Sequence, residues 1–137
     1  MAMRVWLYAR LSNDDDREMN SLQKQQEICR ACAEKQGWTI AGSSTDDNIS
    51  GMSFDRRGLD ELTAAVDADK IDAVIVKDLS RLGRHRTQTA LFIDYLREHQ
   101  VRVISATEGV DTFRDEDDLI IGVRGLMNDY YAKDIGK

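Results

Sequence analysis

The sequence has no proline in 137 residues, so nothing in it marks a rigid linker or a proline-closed helix. No repeat or low-complexity tract interrupts it, so no internal boundary is legible. Residues 1–137 read as one domain, long enough to bury a single real core. Cysteine is scarce: Cys29 and Cys32 are the only two, too few for a disulfide framework. His85 and His99 are the only histidines. With no Gly-x-Ser-x-Gly elbow either, no Ser-His-Asp set is evident. The longest apolar run is far too short to cross a bilayer, and Met1 to Trp6 enters a strand pattern directly, without the features of a secretory leader. These absences describe a soluble, cytoplasmic protein with no membrane partner.

Net positive charge is also lacking. The formal balance is −6, with 32% charged and 42% hydrophobic residues. Taken as one number this disfavours a nucleic-acid binder, but the distribution matters more than the total. Lys77, Arg81, Arg84 and Arg86 sit together against one acid, Asp78, whereas the acids gather in Asp14-Asp15-Asp16 and Asp115-Glu116-Asp117-Asp118. A local basic patch can engage a phosphate but would hold long DNA poorly by itself. Either the substrate is small or another domain does the holding.

What is present alternates between two periods. Residues 4–9 and 71–76 read as strands, and 38–43 and 101–106 as weaker ones. Between and after them run helical stripes: Gln25, Ile28, Cys29 and Cys32; Leu59, Leu62 and Val66; Leu91, Phe92, Tyr95 and Leu96; Leu119, Val123, Leu126, Met127 and Tyr130. Strands alternating with helices imply right-handed crossovers. The expected fold is a three-layer α/β domain with a mostly parallel sheet of about four to five strands flanked by helices. The last stripe runs almost to Lys137, as if the chain ended in or before a long C-terminal helix. Asp46 to Arg57, polar and glycine-containing, reads as a loop of about a dozen residues, a length that is usually functional or mobile. It would bring Ser50 and Arg56 to the edge of the sheet where the other motifs lie.

Two strings carry the chemistry: Tyr8-Ala9-Arg10-Leu11-Ser12 and Ser80-Arg81-Leu82-Gly83-Arg84. Each follows a strand pattern, and in an open α/β sheet the carboxyl edge is where ligands bind. Arg10 and Ser12 are two apart on an extended chain and share a face. Arg81 and Arg84, three apart, share one side of a helical turn, with Gly83 breaking the turn and Lys77 closing the strand before it. A hydroxyl amid guanidinium groups suits chemistry at a phosphate, whose oxygens match the guanidinium fork in charge and geometry. Each feature has a blander explanation. Ser12 before three aspartates suits a turn or helix cap, and Arg-x-x-Arg alone suits a solvated face. Gln25 lies on an inward stripe, where a polar group requires a hydrogen-bond partner. Ser12 or an arginine at the sheet edge would serve, though a capping or solvent-facing role is equally open. Cys29-x-x-Cys32 lies mid-helix on an apolar stripe, so core packing outweighs a redox or zinc role. The Asp14-Asp15-Asp16 cluster reads as an acidic helix start rather than a Mg²⁺ site.

Taken in order, Tyr8-Ala-Arg10-Leu-Ser12, Ser21-Leu22 with Gln25, Ser50-Gly51, Asp55-Arg56-Arg57-Gly58-Leu59 and Leu79-Ser80-Arg81-Leu82-Gly83-Arg84 resemble the catalytic domain of the serine recombinases, the resolvase/invertase family. The resemblance covers nearly the whole chain. The Lys77-Asp78-Leu79-Ser80-Arg81 variant, with Tyr130-Tyr131-Ala132-Lys133-Asp134, is most similar to the large serine recombinases of mobile elements, proteins of DNA integration and transposition. It implies that Ser12 attacks a DNA phosphodiester to give a 5′-phosphoseryl link and a free 3′-hydroxyl. Arg10, Arg81 and Arg84 would stabilise the transition state, with Arg56 contributing from the loop. Tyr8, Gln25 and Ser50 match supporting positions, and Asp47 matches an acidic one. The resemblance implies no metal and no cofactor, and a homodimer or tetramer that exchanges strands by rotation and religates them. It also implies separate C-terminal DNA-binding domains, absent from these 137 residues, so that this chain alone would bind DNA weakly and recombine nothing. One departure stands out: many small resolvases have an aspartate where this chain has Ser80. Proton transfer to the leaving oxygen is therefore unassigned, with Asp78 two residues away. The alternatives from other classes are a non-catalytic phosphate- or nucleotide-binding α/β module and a Mg²⁺-dependent phosphoesterase.

Overall fold

A computed structural model describes residues 2–12, 20–48, 56–83 and 86–112. In chain order the elements are β1 (Arg4–Ser12), α1 (Leu22–Gln36), β2 (Thr39–Asn48), α2 (Arg57–Asp67), β3 (Ala73–Val76), a 3₁₀ turn (Leu79–Leu82), α3 (Arg86–Glu98), β4 (Arg102–Ser105) and β5 (Val110–Asp111). The sheet order is β2-β1-β3-β4-β5. β1 pairs in parallel with β2 and β3, β3 with β4, and only β5 runs antiparallel. This is the three-layer α/β domain expected from the alternating periods.

Alternation along the strands builds the layers. On one face Val5, Leu7, Ala73, Ile75 and Ile104 pack against Cys29 and Ala33 of α1. On the other Tyr8, Val74, Val76 and Val103 pack against Leu62, Ala65 and Val66 of α2 and Ile93 and Leu96 of α3. Cys29 is thus a core residue, and burial pushes its thiol up to about 12, which leaves it protonated and inert at neutral pH.

The largest departures from the sequence reading, at the ends of β1 and β2, share one reason. β1 continues through Ser12 and β2 through Asn48, because their ladder runs on through Arg10↔Asp46, Leu11↔Asp47 and Ser12↔Asn48. Ser12 is therefore the last residue of a strand, not part of a turn after it. Of the stretch read as a loop from Asp46 to Arg57, Asp46 to Asn48 belong to β2 and Arg57 opens α2; residues 49–55 lie outside the described residues. β2 is an edge strand with one face covered, so from Ser43 to Asn48 it alternates exposed and buried positions, the buried ones being Ser44, Asp46 and Asn48. Polar residues on both faces hid it from a hydrophobic pattern. The stripe from Leu119 to Tyr130, and the Asp14-Asp15-Asp16 and Asp115-Glu116-Asp117-Asp118 clusters, lie outside the described residues.

Gly58 fixes how closely α2 lies on β2. A Cβ there would sit 2.5 Å from the Thr45 carbonyl oxygen and 2.7 Å from its carbon, both backbone atoms that cannot swing aside. Gly58→Ala should therefore destabilise the domain by about 1–3 kcal/mol, although alanine is the better helix former. Chemical denaturation of the two proteins checks this, and unchanged stability would mean that α2 can shift outward at no cost.

At the opposite end of the sheet, Arg4 grips Asp72 through its backbone N–H, Nε and Nη2 at 2.9, 3.1 and 3.0 Å. These hydrogen bonds hold the Asp72 carboxyl below its ordinary value of 3.8. A carboxylate depressed on folding contributes stability above its unfolded pKa and loses it as pH falls through the folded one. Both side chains are 42% exposed, so solvent screening keeps the contribution under about 1 kcal/mol. Asp72→Asn should lower stability near neutral pH and flatten its decline below about pH 4, as read from unfolding curves over an acid series.

Candidate active site

β1 presents Tyr8, Arg10 and Ser12 on the face covered by α2 and α3, since alternate residues share a face. β2 presents Ser44, Asp46 and Asn48 beside them through the same register. A cavity of about 300 Å³ opens at this edge, with Tyr8, Arg10, Asp46, Asn48, Arg56 and Arg81 on its polar side. Its apolar wall comes from Leu59 and Leu82 and from Leu91, Phe92 and Tyr95 of α3. Three arginines from separate segments thus converge on one cavity; Ser12 is not in its lining and stands two residues beyond Arg10 at the end of β1.

Arg10 and Arg81 are locked by a reciprocal clasp. Arg10 Nη2 donates to the carbonyls of Ser80 at 2.5 Å and Gly83 at 3.1 Å. Arg81 Nη1 donates back to the carbonyl of Arg10 at 2.9 Å. Arg81 is only 5% exposed, which excludes the solvated-face explanation for it. Its Nη2 also reaches Asn20 Oδ1 and Asp78 Oδ2, both at 3.3 Å. The 3₁₀ turn carrying Arg81 is capped by Asp78, whose side chain accepts from the Ser80 N–H at 3.1 Å and from the Ser80 hydroxyl. Gly83 has extended backbone, so its role is space: a Cβ would meet the Thr89 nitrogen at 2.8 Å, where α3 passes.

Gln25 is fully buried and makes the contact its inward position demanded. It reaches the backbone of an arginine rather than a guanidinium: Nε2 donates to the Arg10 carbonyl at 2.8 Å and Oε1 accepts from the Arg10 N–H at 3.2 Å. Nε2 also donates to the Asn20 carbonyl at 2.7 Å. Gln25 thus fixes the strand end from the α1 side, behind the cavity.

Tyr8 is buried, and its hydroxyl donates to Asp46 Oδ2 at 2.7 Å. Burial first, and then the Asp46 carboxylate, push its phenol far up, so it stays protonated at any physiological pH. Asp46 was missed from sequence, where Asp47 drew attention instead. Asp47 is exposed, one residue further along β2 and on its other face, while Asp46 lines the cavity. The available signal was Ser44, Asp46 and Asn48 at alternate positions, legible only once β2 is known to extend that far. Ser50, Arg84 and His85 lie outside the described residues. His99 follows α3 and packs on Tyr95, with ring centroids 4.5 Å apart, and is not itself part of the cavity lining. Among the described residues no group of acids, histidines and cysteines could hold a metal ion, and no helix is long and apolar enough to cross a membrane.

A family model described as "Resolvase, N terminal domain" matches residues 5–137. The chain belongs to the resolvase N-terminal domain family. Solved structures agree on the fold of this resolvase domain. The N-terminal catalytic domain of TP901-1 integrase superposes with a TM-score of 0.80 at 24% identity, covering 95% of this chain and 97% of that one. A resolvase family site-specific recombinase from Streptococcus pneumoniae gives 0.78 at 24%, over 97% and 90%. The C-terminal catalytic domain of ISC1926 TnpA, an IS607-like serine recombinase, gives 0.63 at 23%, over 95% and 82%. At these identities the likeness establishes a shared architecture, and the chemistry of this resolvase domain must be argued from its own residues.

Proposed function

We propose that this resolvase domain is the catalytic domain of a site-specific DNA recombinase, with Ser12 as its nucleophile. The observation that carries this reading is the convergence of Arg10, Arg56 and Arg81 on one cavity at the end of the strand that terminates in Ser12. In the proposed step Ser12 Oγ bonds to a backbone phosphorus, the bond from phosphorus to the 3′-oxygen breaks, and the serine proton is released. The 3′-oxygen takes up a proton as it leaves. Guanidinium groups fixed in advance favour the extra charge on the pentavalent phosphorus without reorganising as it develops. The phosphoseryl ester retains the energy of the phosphodiester, so reversal by a 3′-hydroxyl of another strand rejoins DNA without ATP. Arg84 and Ser50 complete the site in this proposal. Ser80, beside Arg81, donates its hydroxyl to Asp78, the residue that caps the 3₁₀ turn.

The partners are then DNA and further copies of the protein, assembled as a dimer or tetramer. The net charge of −6 supports assigning most DNA affinity to surfaces beyond this domain. The test is covalent trapping: the natural protein incubated with its recombination site, quenched with denaturant and resolved on a gel. The reading expects a protein-linked 5′ end that forms undiminished in chelator. Loss of the product in chelator would favour a metal-dependent phosphoesterase, and nucleotide binding without any covalent product would favour a non-catalytic anion-binding module.

A further inference from the structure

The N-cap position of α2 is occupied by Arg56, whose side chain makes no cap hydrogen bond. Arginine cannot cap, because it has donors only and the first turn of a helix needs an acceptor. The acceptor comes instead from β2. Asp46 Oδ1 accepts from the Gly58 N–H at 2.6 Å and Asp46 Oδ2 from the Leu59 N–H at 3.0 Å, while Oδ2 also takes the Tyr8 hydroxyl at 2.7 Å. Asp46 is 1% exposed, and its charge is favourably placed against the positive end of the α2 dipole. A second tie lies alongside, where Ser44 Oγ accepts from Trp6 Nε1 at 2.9 Å and donates to the Gly58 carbonyl at 2.7 Å.

We infer that Asp46 is a positioning residue for Arg56: by capping α2 from a neighbouring strand, it lets an arginine stand at the N-cap and holds it on the cavity that Arg10 also lines. Its third donor, Tyr8, belongs to the strand that carries Arg10 and Ser12, so one carboxylate sets the spacing between the two halves of the site. The inference rests on the recombinase reading. A carboxylate is required because both oxygens must accept; an amide would turn an N–H₂ toward either Gly58 or the pair formed by Leu59 and Tyr8.

The experiment is a double-mutant cycle in the natural protein, scoring the rate of covalent DNA trapping for Asp46→Asn, Arg56→Ala and both together, with melting temperatures alongside. Residues acting through one another are non-additive. Asp46→Asn is expected to slow trapping about 10-fold with Arg56 present and by less than about twofold once Arg56 is alanine. The melting temperature should fall equally in both backgrounds. Equal kinetic penalties in the two backgrounds would overturn the inference and leave Asp46 a purely structural cap. Should Asp46→Asn fail to fold, Asp46→Ser, which keeps one small acceptor, is subjected to the same cycle; failure of both to fold also overturns it. If the unsubstituted protein traps no DNA, the proposed function fails; if it traps DNA and the penalties add, only this inference does.

Discussion

Ser12→Ala in the natural protein is expected to abolish covalent DNA trapping, with strand cleavage falling by at least about 10⁴-fold, as when an enzyme loses its nucleophile outright. Folding should be almost untouched. Ser12 closes β1, half-buried, and its backbone pairs with β2 opposite Asn48, a ladder that alanine preserves. Specific DNA binding should therefore persist while chemistry disappears. A merely structural serine would give the opposite pattern, with lowered stability and residual cleavage. Gel-resolved cleavage kinetics and a melting curve on the same preparation separate the two.

Arg81→Ala should be the most damaging single change to the remainder of the site, because it acts on both structure and chemistry. The buried guanidinium holds the Arg10 carbonyl, Asn20 and Asp78 together. Truncation strips these acceptors of a charged donor at a cost of about 2–3 kcal/mol. The Asp78 part is the smaller, since that side chain is 23% exposed and water can replace the partner. Cleavage measured well below the melting temperature should fall a further ~10²–10³-fold, the typical cost of losing one preorganised charge donor. Arg81→Lys should recover little of either, since a point charge cannot span three acceptors as the fork does. Denaturation and single-turnover cleavage of the alanine and lysine variants check this. A lysine variant cleaving at the wild-type rate would show that only charge matters at position 81.

The layers were legible because strands with a buried side carry apolar residues at alternate positions, as Val5 and Leu7 do, and the helices opposite them carry Cys29, Ala33, Leu62 and Leu96 at helical spacing. Arg10 and Ser12 sharing a face followed from strand geometry alone. Gln25 was legible as a buried polar group needing a partner, but not that its partner would be main chain, since backbone acceptors have no sequence signature. Asp46 was not legible. Its importance depends on the register of β2 against β1, and that strand is too polar to announce itself. The burial of Arg81 was equally hidden: an arginine in a basic stretch reads as solvated until Asn20, Asp78 and the Arg10 carbonyl are brought around it.

The central claim is that the bond to DNA forms at Ser12, and mapping the linkage tests it most directly. The trapped complex of the natural protein is digested with nuclease and protease, and the peptide bearing the nucleotide remnant is sequenced by mass spectrometry. A phosphodiester-linked remnant on Ser12, attached through the 5′-phosphate, is expected. A remnant on any other residue, or attachment through a 3′-phosphate, would contradict that claim.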